Sequence, residues 1–234
     1  MDKLVLKNVA IGYHDMLLAE EINLEVDRGK LISLIGENGT GKSTLMYSLL
    51  KINPIIKGEI FYRDKSFKEF SQKAWSRIFA AVFSRIEQIP HIKVRELIQI
   101  GADIKNEKEL ENISELLEIS GLLTHYATEL SDGQLQKVMI ARAILQDTPY
   151  VIFDEPTAHL DYKNKRIVFE LLKKTVEFTG KTFIVITHEV LQALAMSNEI
   201  WMFQDKKLHV GTPEEIDSKL NIKQEVLKNI DYGA

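Results

Sequence analysis

The chain has 234 residues, 45% of them hydrophobic and 27% charged, and no cysteine. This composition is typical of a globular protein, and it excludes collagen-like, disulfide-stapled and thiolate-metal classes. Thirty Lys and Arg against 34 Asp and Glu give a formal charge of −4, the wrong sign for a chain whose main partner is nucleic acid. The alternating opening residues predict a strand and not a signal peptide, and no apolar run approaches the roughly 18 residues of a membrane span.

Strand patterns alternate with helical patterns along the chain, which predicts a mostly parallel sheet covered by helices. Between Val94 and Gln146 the apolar residues repeat at three and four, so we expect a helical insert there. The chain then returns to strands and closes with a hairpin, turning at Asp205-Lys206-Lys207, and a helix capped by Thr212. The predicted strands are Leu4–Val9, Ile22–Val26, Lys30–Ile35, Lys57–Tyr62, Ala80–Phe83, Tyr150–Phe153, Thr182–Thr187, Ile200–Phe203 and Leu208–Val210.

A glycine-rich turn joins the third predicted strand to a helix that begins near Lys42. It matches G-x-x-x-x-G-K-[ST], in which backbone N–H groups and a helix N-terminus converge on a phosphate. The Lys42 ammonium can bridge phosphate oxygens, and the Ser43 hydroxyl can ligate Mg²⁺. Glycine-rich turns of this kind also occur without a ligand. The matching residues are Gly36, Glu37, Asn38, Gly39, Thr40, Gly41, Lys42 and Ser43.

Two adjacent carboxylates end the apolar strand at Tyr150–Phe153. Consecutive strand residues point to opposite faces, so Asp154 and Glu155 can take different roles. Asp154 suits a magnesium-bound water opposite Ser43, and Glu155 suits a base for an attacking water. Taken alone, the pair also fits an ordinary solvated strand end.

Two further positions carry weaker signals. Ser131 precedes a predicted helix over Leu135–Leu145; it fits a plain N-cap, with Asp132 as a first-turn acid, and the same helix start is a candidate anion site. His188 follows the strand Thr182–Thr187, where a lone histidine is more often structural than catalytic.

The order of these elements resembles the nucleotide-binding subunits of ABC transporters over nearly the whole chain. The resemblance implies a P-loop NTPase of α/β class: a RecA-like core with a mostly parallel sheet, N-terminal antiparallel strands and an inserted helical subdomain. One ABC domain would span residues 1–234, with the core and β subdomain at about 1–88 and 149–234 and the helical subdomain at about 89–148. It also implies the following roles: Gly36–Ser43 as Walker A, Thr44 near the α-phosphate, Tyr13 stacking on adenine, Ser131, Gly133 and Gln134 as signature residues, Asp154 and Glu155 in Walker B, Asp161 in the D-loop, and His188 as the switch histidine.

This chain departs from the family pattern in two places. Asp132 stands where many members have glycine, and we expect its carboxylate to point away from the nucleotide. The family's magnesium-linked glutamine has no clear equivalent after the strand Ala80–Phe83, and Arg85, Glu87 and Gln88 remain the candidates.

The resemblance implies an ATPase that uses ATP and Mg²⁺ and pairs head to tail with a second copy. It would dock at the cytoplasmic side of a membrane on permease subunits, served by a substrate-binding protein. The residues of these motifs are similar to those in uptake cassettes for iron chelates, haem and cobalamin. A soluble ABC ATPase that remodels a macromolecule is the alternative, and a nucleotide kinase or GTPase would leave the signature, D-loop and His188 unexplained.

Overall fold

The computed structural model describes residues 3–13, 16–83, 89–102, 107–158 and 160–223. Its strands are β1 (Leu4–Tyr13), β2 (Met16–Val26), β3 (Leu31–Gly36), β4 (Lys57–Tyr62), β5 (Lys65–Ser66), β6 (Phe79–Val82), β7 (Tyr150–Asp154), β8 (Thr182–Ile186), β9 (Glu199–Gln204) and β10 (Lys207–Gly211). Its helices are α1 (Lys42–Leu49), α2 (Gln72–Trp75), α3 (Val94–Gln99), α4 (Glu107–Leu116), α5 (Asp132–Leu145), α6 (Tyr162–Thr179), α7 (Val190–Met196) and α8 (Pro213–Leu220).

The larger sheet has the strand order β10-β9-β3-β8-β7-β6. All neighbouring pairs from β9 to β6 are parallel, and β10 alone runs antiparallel. Every residue of β8 is buried, as expected for a parallel strand covered on both faces. Because β3, β8 and β7 are neighbours, the loops that follow their carboxyl ends lie side by side at one edge of the sheet.

The smaller sheet is antiparallel, with the order β2-β1-β4-β5. Its apolar side chains share one buried cluster with α1 and with one face of the larger sheet, including Ile32, Ile152 and Ile184. This packing places the adjoining ends of β1 and β2, at Tyr13 and Met16, beside the start of α1. The smaller sheet and α1 therefore cover one face of the larger sheet.

The chain between β6 and β7 contains helices α3, α4 and α5 in its described part. Their buried residues form one cluster with α6 and with the other face of the larger sheet, including Val151 and Phe153. The predicted helical insert is therefore present. Its core is continuous with that of the sheet, and the division into subdomains stays a prediction.

Several predicted boundaries were wrong in detail. β1 continues to Tyr13 and not only to Val9, and α5 begins at Asp132 and not at Leu135. The turn before β10 has two residues, Asp205 and Lys206, both with positive φ, and Lys207 already pairs with Gln204. The twist of a two-residue turn of this kind matches that of its strands. β2 begins at Met16 and not at Ile22, because its first residues pair with the end of β1.

Candidate functional site

The glycine-rich loop leaves β3 at Gly36 and enters α1 through Gly41. Gly36 has a φ of 143°, and a Cβ on it would lie 2.9 Å from the carbonyl oxygen of Phe203. Gly41 is the N-cap of α1 with a left-handed φ of 111°. Residues other than glycine rarely adopt such backbone angles, so the path of the loop depends on glycine at both positions.

Lys42 lies inside this loop with only 7% of its surface exposed. Its Nζ donates hydrogen bonds to the carbonyl oxygens of Gly36, at 2.7 Å, and Glu37, at 2.8 Å. Burial lowers the pKa of Lys42. No side chain in the described chain caps α1, and its first turn contains no acid. The positive end of the helix and the ammonium are therefore open to an anion.

Asp154 and Glu155 reach the same region from β7, and His188 reaches it from the end of β8. The Glu155 backbone turns through a φ of 50°, and its N–H donates to the Ile186 carbonyl oxygen at 2.9 Å. The Glu155 Oε1 lies 3.2 Å from the His188 Nε2. The carboxyl-edge loops of neighbouring strands thus bring the three side chains together.

The electrostatics of this group favour neutral side chains over an ion pair. Burial raises the pKa of Glu155 to about 7, although the hydrogen bond from the His188 backbone opposes the shift. Burial also raises the pKa of Asp154 and lowers that of His188. The contact between Glu155 and His188 is close enough for a salt bridge, but both shifts weaken its charged form. At neutral pH, Glu155 is therefore present in both its protonated and its charged form.

These residues line a cleft of about 540 Å³, here called the Lys42 cleft. Tyr13 of β1 and Met16 and Leu18 of β2 also line it, and Leu18 lies beside the loop, where a Cβ on Gly41 would be 3.4 Å from the Leu18 Cβ. Tyr13 is 46% exposed, so part of this residue is accessible to a ligand. The cleft combines an anion site with apolar side chains in its wall.

The Ser43 hydroxyl and Asp154 carboxylate supply oxygen ligands in the Lys42 cleft. Across the described ranges no group of three or more His, Asp or Glu is arranged to hold a metal. Mg²⁺ usually takes only one or two protein oxygens and completes its shell with phosphate and water. The donor set therefore fits Mg²⁺ bound together with a phosphorylated ligand.

A second cleft, of about 570 Å³, lies at the start of α5 and is here called the Ser131 cleft. Ser131, Gly133 and Gln134 line it, together with Leu160 and Asn164 near the start of α6. Ser131 Oγ caps α5 by accepting a hydrogen bond from the Gln134 N–H. The lining of this cleft has no residue in common with that of the Lys42 cleft.

Glycine at position 133 is not required by the fold of this chain. A Cβ built there would meet nothing within 4 Å, and the neighbouring Asp132 is exposed and does not line the cleft. The start of α5 therefore presents an open surface.

A family model described as ABC transporter matches residues 19–158, more than half of the chain. The chain belongs to the ABC transporter family. The petrobactin import ATP-binding protein FpuD of Bacillus anthracis is 30% identical over 92% of this chain and 83% of its own length. The sulfate/thiosulfate import ATP-binding protein CysA of Synechocystis sp. is also 30% identical, over 91% of this chain.

This ABC chain spans 61% of the length of the CysA protein. Among solved structures, cbiO1 from Clostridium perfringens, part of the ABC transporter complex cbiONQ, superposes with a TM-score of 0.84. The match covers 97% of this chain and all of cbiO1 at 24% identity. The predicted fold class, an α/β P-loop NTPase of the ABC type, is therefore confirmed. In the ranges described, no helix has the length and apolar character needed to cross a bilayer.

The predicted site residues within the described part of this ABC chain fall into four groups. The Lys42 cleft is lined by Tyr13, Asn38, Gly39, Gly41, Lys42, Ser43, Thr44, Asp154, Glu155 and His188, and the Ser131 cleft by Ser131, Gly133 and Gln134. Gly36, Glu37 and Thr40 shape the loop without lining it, and Thr40 Oγ1 donates to the Glu37 carbonyl oxygen at 2.9 Å. Asp161 lies elsewhere, where it caps α6 by accepting from the Asn164 N–H at 2.8 Å. The residues Arg85, Glu87, Gln88 and His159 lie outside the described part of the chain.

Met16, Leu18 and Lys165 were not predicted. Met16 pairs with Tyr13, so recognising in the sequence that β2 begins at Met16 would have placed both β2 residues near Tyr13. Lys165 Nζ lies 2.5 Å from Oε1 of Glu189, the residue after His188. This ion pair joins the start of α6 to the loop after β8, and no local sequence pattern signals it.

Proposed function

We propose that this ABC chain binds MgATP in the Lys42 cleft and hydrolyses its γ-phosphate. One observation carries the proposal: the open N-terminus of α1, the Lys42 ammonium and the two carboxyl-edge loops converge on one cleft. The triphosphate would lie along the loop and the first turn of α1. Tyr13 would stack against the base, because aromatic faces bind flat heterocycles.

Each charged residue then has a defined task. Ser43 and, through water, Asp154 would hold Mg²⁺, which offsets the negative charge of the phosphates when bound. Lys42 would leave its two carbonyl acceptors and donate to the phosphate oxygens. His188 would donate a hydrogen bond to the γ-phosphate. These contacts stabilise the charge that develops on the transferred group.

Glu155 is proposed as the general base. A water attacks the γ-phosphorus as the bond to the bridging oxygen breaks, ADP leaves, and the water proton passes to the Glu155 carboxylate. Its pKa of about 7 lies close to the working pH, where a base balances correct protonation against basicity.

We further propose that a second copy of the chain completes the site. The Lys42 cleft and the Ser131 cleft are separate on one chain, and each presents a helix start suited to phosphate. In a head-to-tail pair, the Ser131 hydroxyl and the Gly133 N–H of one copy would meet the γ-phosphate held by the other. Hydrolysis removes that anion and so releases the pair.

The transport function follows from the family and from the relatives named for import. We propose a peripheral ATPase at the cytoplasmic face of a membrane, docked on permease subunits and served by a substrate-binding protein. For the substrate we propose an iron chelate, haem or cobalamin. The similar length of the petrobactin import relative supports this class, whereas the sulfate import relative at equal identity does not favour it.

The variant Glu155→Gln tests the catalytic assignment. It should bind ATP with unchanged affinity, measured by calorimetry, and lower the turnover number by about a hundredfold or more. Near-normal hydrolysis by this variant would remove Glu155 from the role of base.

The same variant tests the pairing and the transport role. Saturated with ATP and Mg²⁺ in the presence of its permease, it should sediment as paired cassettes, and a failure to pair would refute the shared site. Purification from its own cells should recover a polytopic membrane protein. Recovery of nucleic acid or a soluble scaffold instead would favour a macromolecule-remodelling ATPase.

A further inference from the structure

A third concave site lies at the edge of the larger sheet opposite the Lys42 cleft. It has a volume of about 670 Å³ and lies where β7 and β8 begin, with Pro149 and Lys181 in its wall. We call it the arginine cavity, after Arg28, Arg63 and Arg77, which line it. None of its residues takes part in the proposed ATPase reaction.

The lining of the arginine cavity is positive, although the chain as a whole is negative. Three arginines and Lys181 face two carboxylates, those of Glu109 and Asp147, which leaves a net formal charge of plus two. The whole chain has a formal charge of −4. A concave surface of one sign concentrates ligands of the opposite sign.

Lys181 is fixed in the wall of the cavity. Its Nζ donates to the carbonyl oxygens of Gln146, at 2.6 Å, and Thr148, at 2.9 Å. Burial lowers the pKa of Lys181; the carboxylates of Asp147 and Glu109 act in the opposite direction, and the charge of Arg28 in the same one. A bound anion would therefore stabilise this ammonium in its charged form.

Aromatic rings form the other part of the wall. The Arg63 guanidinium carbon lies 5.3 Å from the centre of the Tyr62 ring, a distance typical of cation–π contact. Phe70 lies 6.5 Å from Tyr62, centre to centre, and both rings line the cavity. A planar guanidinium beside aromatic rings suits a ligand that has both phosphate oxygens and an apolar or ring portion.

We propose that the arginine cavity binds a small phosphorylated molecule, a phosphate ester or diphosphate with at least two negative charges. The volume is in the range of small-molecule sites, roughly 300–1,000 Å³, which favours a small ligand over an acidic protein segment. The wall includes Glu109 of α4 and Leu145 of α5 as well as residues of the sheet region. A ligand there touches the helical segment and the core together.

Inorganic pyrophosphate is a suitable probe, titrated by calorimetry without Mg²⁺. It should bind twice per chain: once in the Lys42 cleft and once in the arginine cavity. The variant Lys42→Ala should lose binding in the Lys42 cleft and keep it in the arginine cavity. The double variant Arg63→Gln/Arg77→Gln, which changes two exposed side chains, should leave the Lys42 cleft unchanged and weaken binding in the arginine cavity about a hundredfold; the triple variant should show only this weakened binding. Each lost arginine should weaken the second site about tenfold, the usual effect of losing a charge-assisted hydrogen bond.

Two results would overturn the inference: loss of all pyrophosphate binding in Lys42→Ala, or unchanged affinity when the arginine changes are added to Lys42→Ala. Chloride and acetate at equal ionic strength serve as monovalent controls. Binding and hydrolysis of ATP by Arg63→Gln/Arg77→Gln should match the wild type. The test of the arginine cavity is therefore independent of the test of the proposed ATPase function.

Discussion

The buried Glu155 carboxyl should destabilise the nucleotide-free protein at alkaline pH, and Glu155→Gln should remove that effect. The folded protein holds this carboxyl at a pKa of about 7, against 4.5 for the ordinary value. The folded state therefore binds the proton more tightly than the unfolded state does. Stability is lost as pH rises from about 4.5 through about 7, and the full loss applies above that range.

The shift fixes the size of the expected effect. About 2.5 pKa units at 1.36 kcal/mol each correspond to about 3 kcal/mol above pH 7. Proton linkage between these two pKa values lowers the free energy of unfolding by about 1 kcal/mol at pH 5 and by about 3 kcal/mol at pH 8. Glu155→Gln should therefore exceed the wild type in stability by about 2 kcal/mol more at pH 8 than at pH 5.

Urea unfolding of both proteins at the two pH values, without nucleotide or Mg²⁺, measures this difference. His188 contributes with the opposite sign, because burial lowers its pKa; since its Nε2 lies 3.2 Å from the Glu155 Oε1, both proteins are compared in a His188→Gln background. Glu37→Gln, which removes one carboxylate from an exposed loop position, controls for net charge. A stability gap that stays constant between pH 5 and pH 8 would refute the reasoning.

Three further predictions concern activity and pairing. The kcat/KM for ATP should rise with pH through about 7, because Glu155 must lose its proton to act as a base; a flat profile from pH 6 to pH 8 would contradict this. Gly133→Leu should fold as stably as the wild type, since its Cβ meets nothing within 4 Å, yet lose ATP-dependent pairing measured by sedimentation. Lys165→Ala should lower kcat several-fold and shift the midpoint of the kcat/KM pH profile to higher pH, because the unpaired Glu189 carboxylate raises the pKa of Glu155. Lys165→Arg should restore both kcat and the midpoint.

Much of the fold follows directly from sequence periodicity. The strands β3, β7 and β8 are short apolar runs bounded by turns, and their predicted ends agree with the structure to within one residue. The beginning of β2 was missed because Met16–Glu21 shows no clean alternation of buried and exposed residues. Register shifts in its pairing with β1 explain that irregular pattern.

The meeting of the site residues was also predictable in outline. Side chains that follow neighbouring parallel strands converge at one sheet edge, so Lys42, Asp154 and His188 had to be close. The left-handed backbone at Glu155 and its 3.2 Å approach to His188 depend on tertiary packing. No local pattern encodes either of them.

The hydroxyl of Ser131 already has a proton acceptor in the single chain, since it lies 3.2 Å from the Gln134 Oε1. A phosphate arriving from another molecule would therefore compete with a neutral amide oxygen for the same hydrogen. Only an acceptor with more negative charge gains from that exchange. Under the proposed pairing, two copies without nucleotide would therefore gain little from contact at Ser131, and the bound nucleotide would decide how long each encounter lasts.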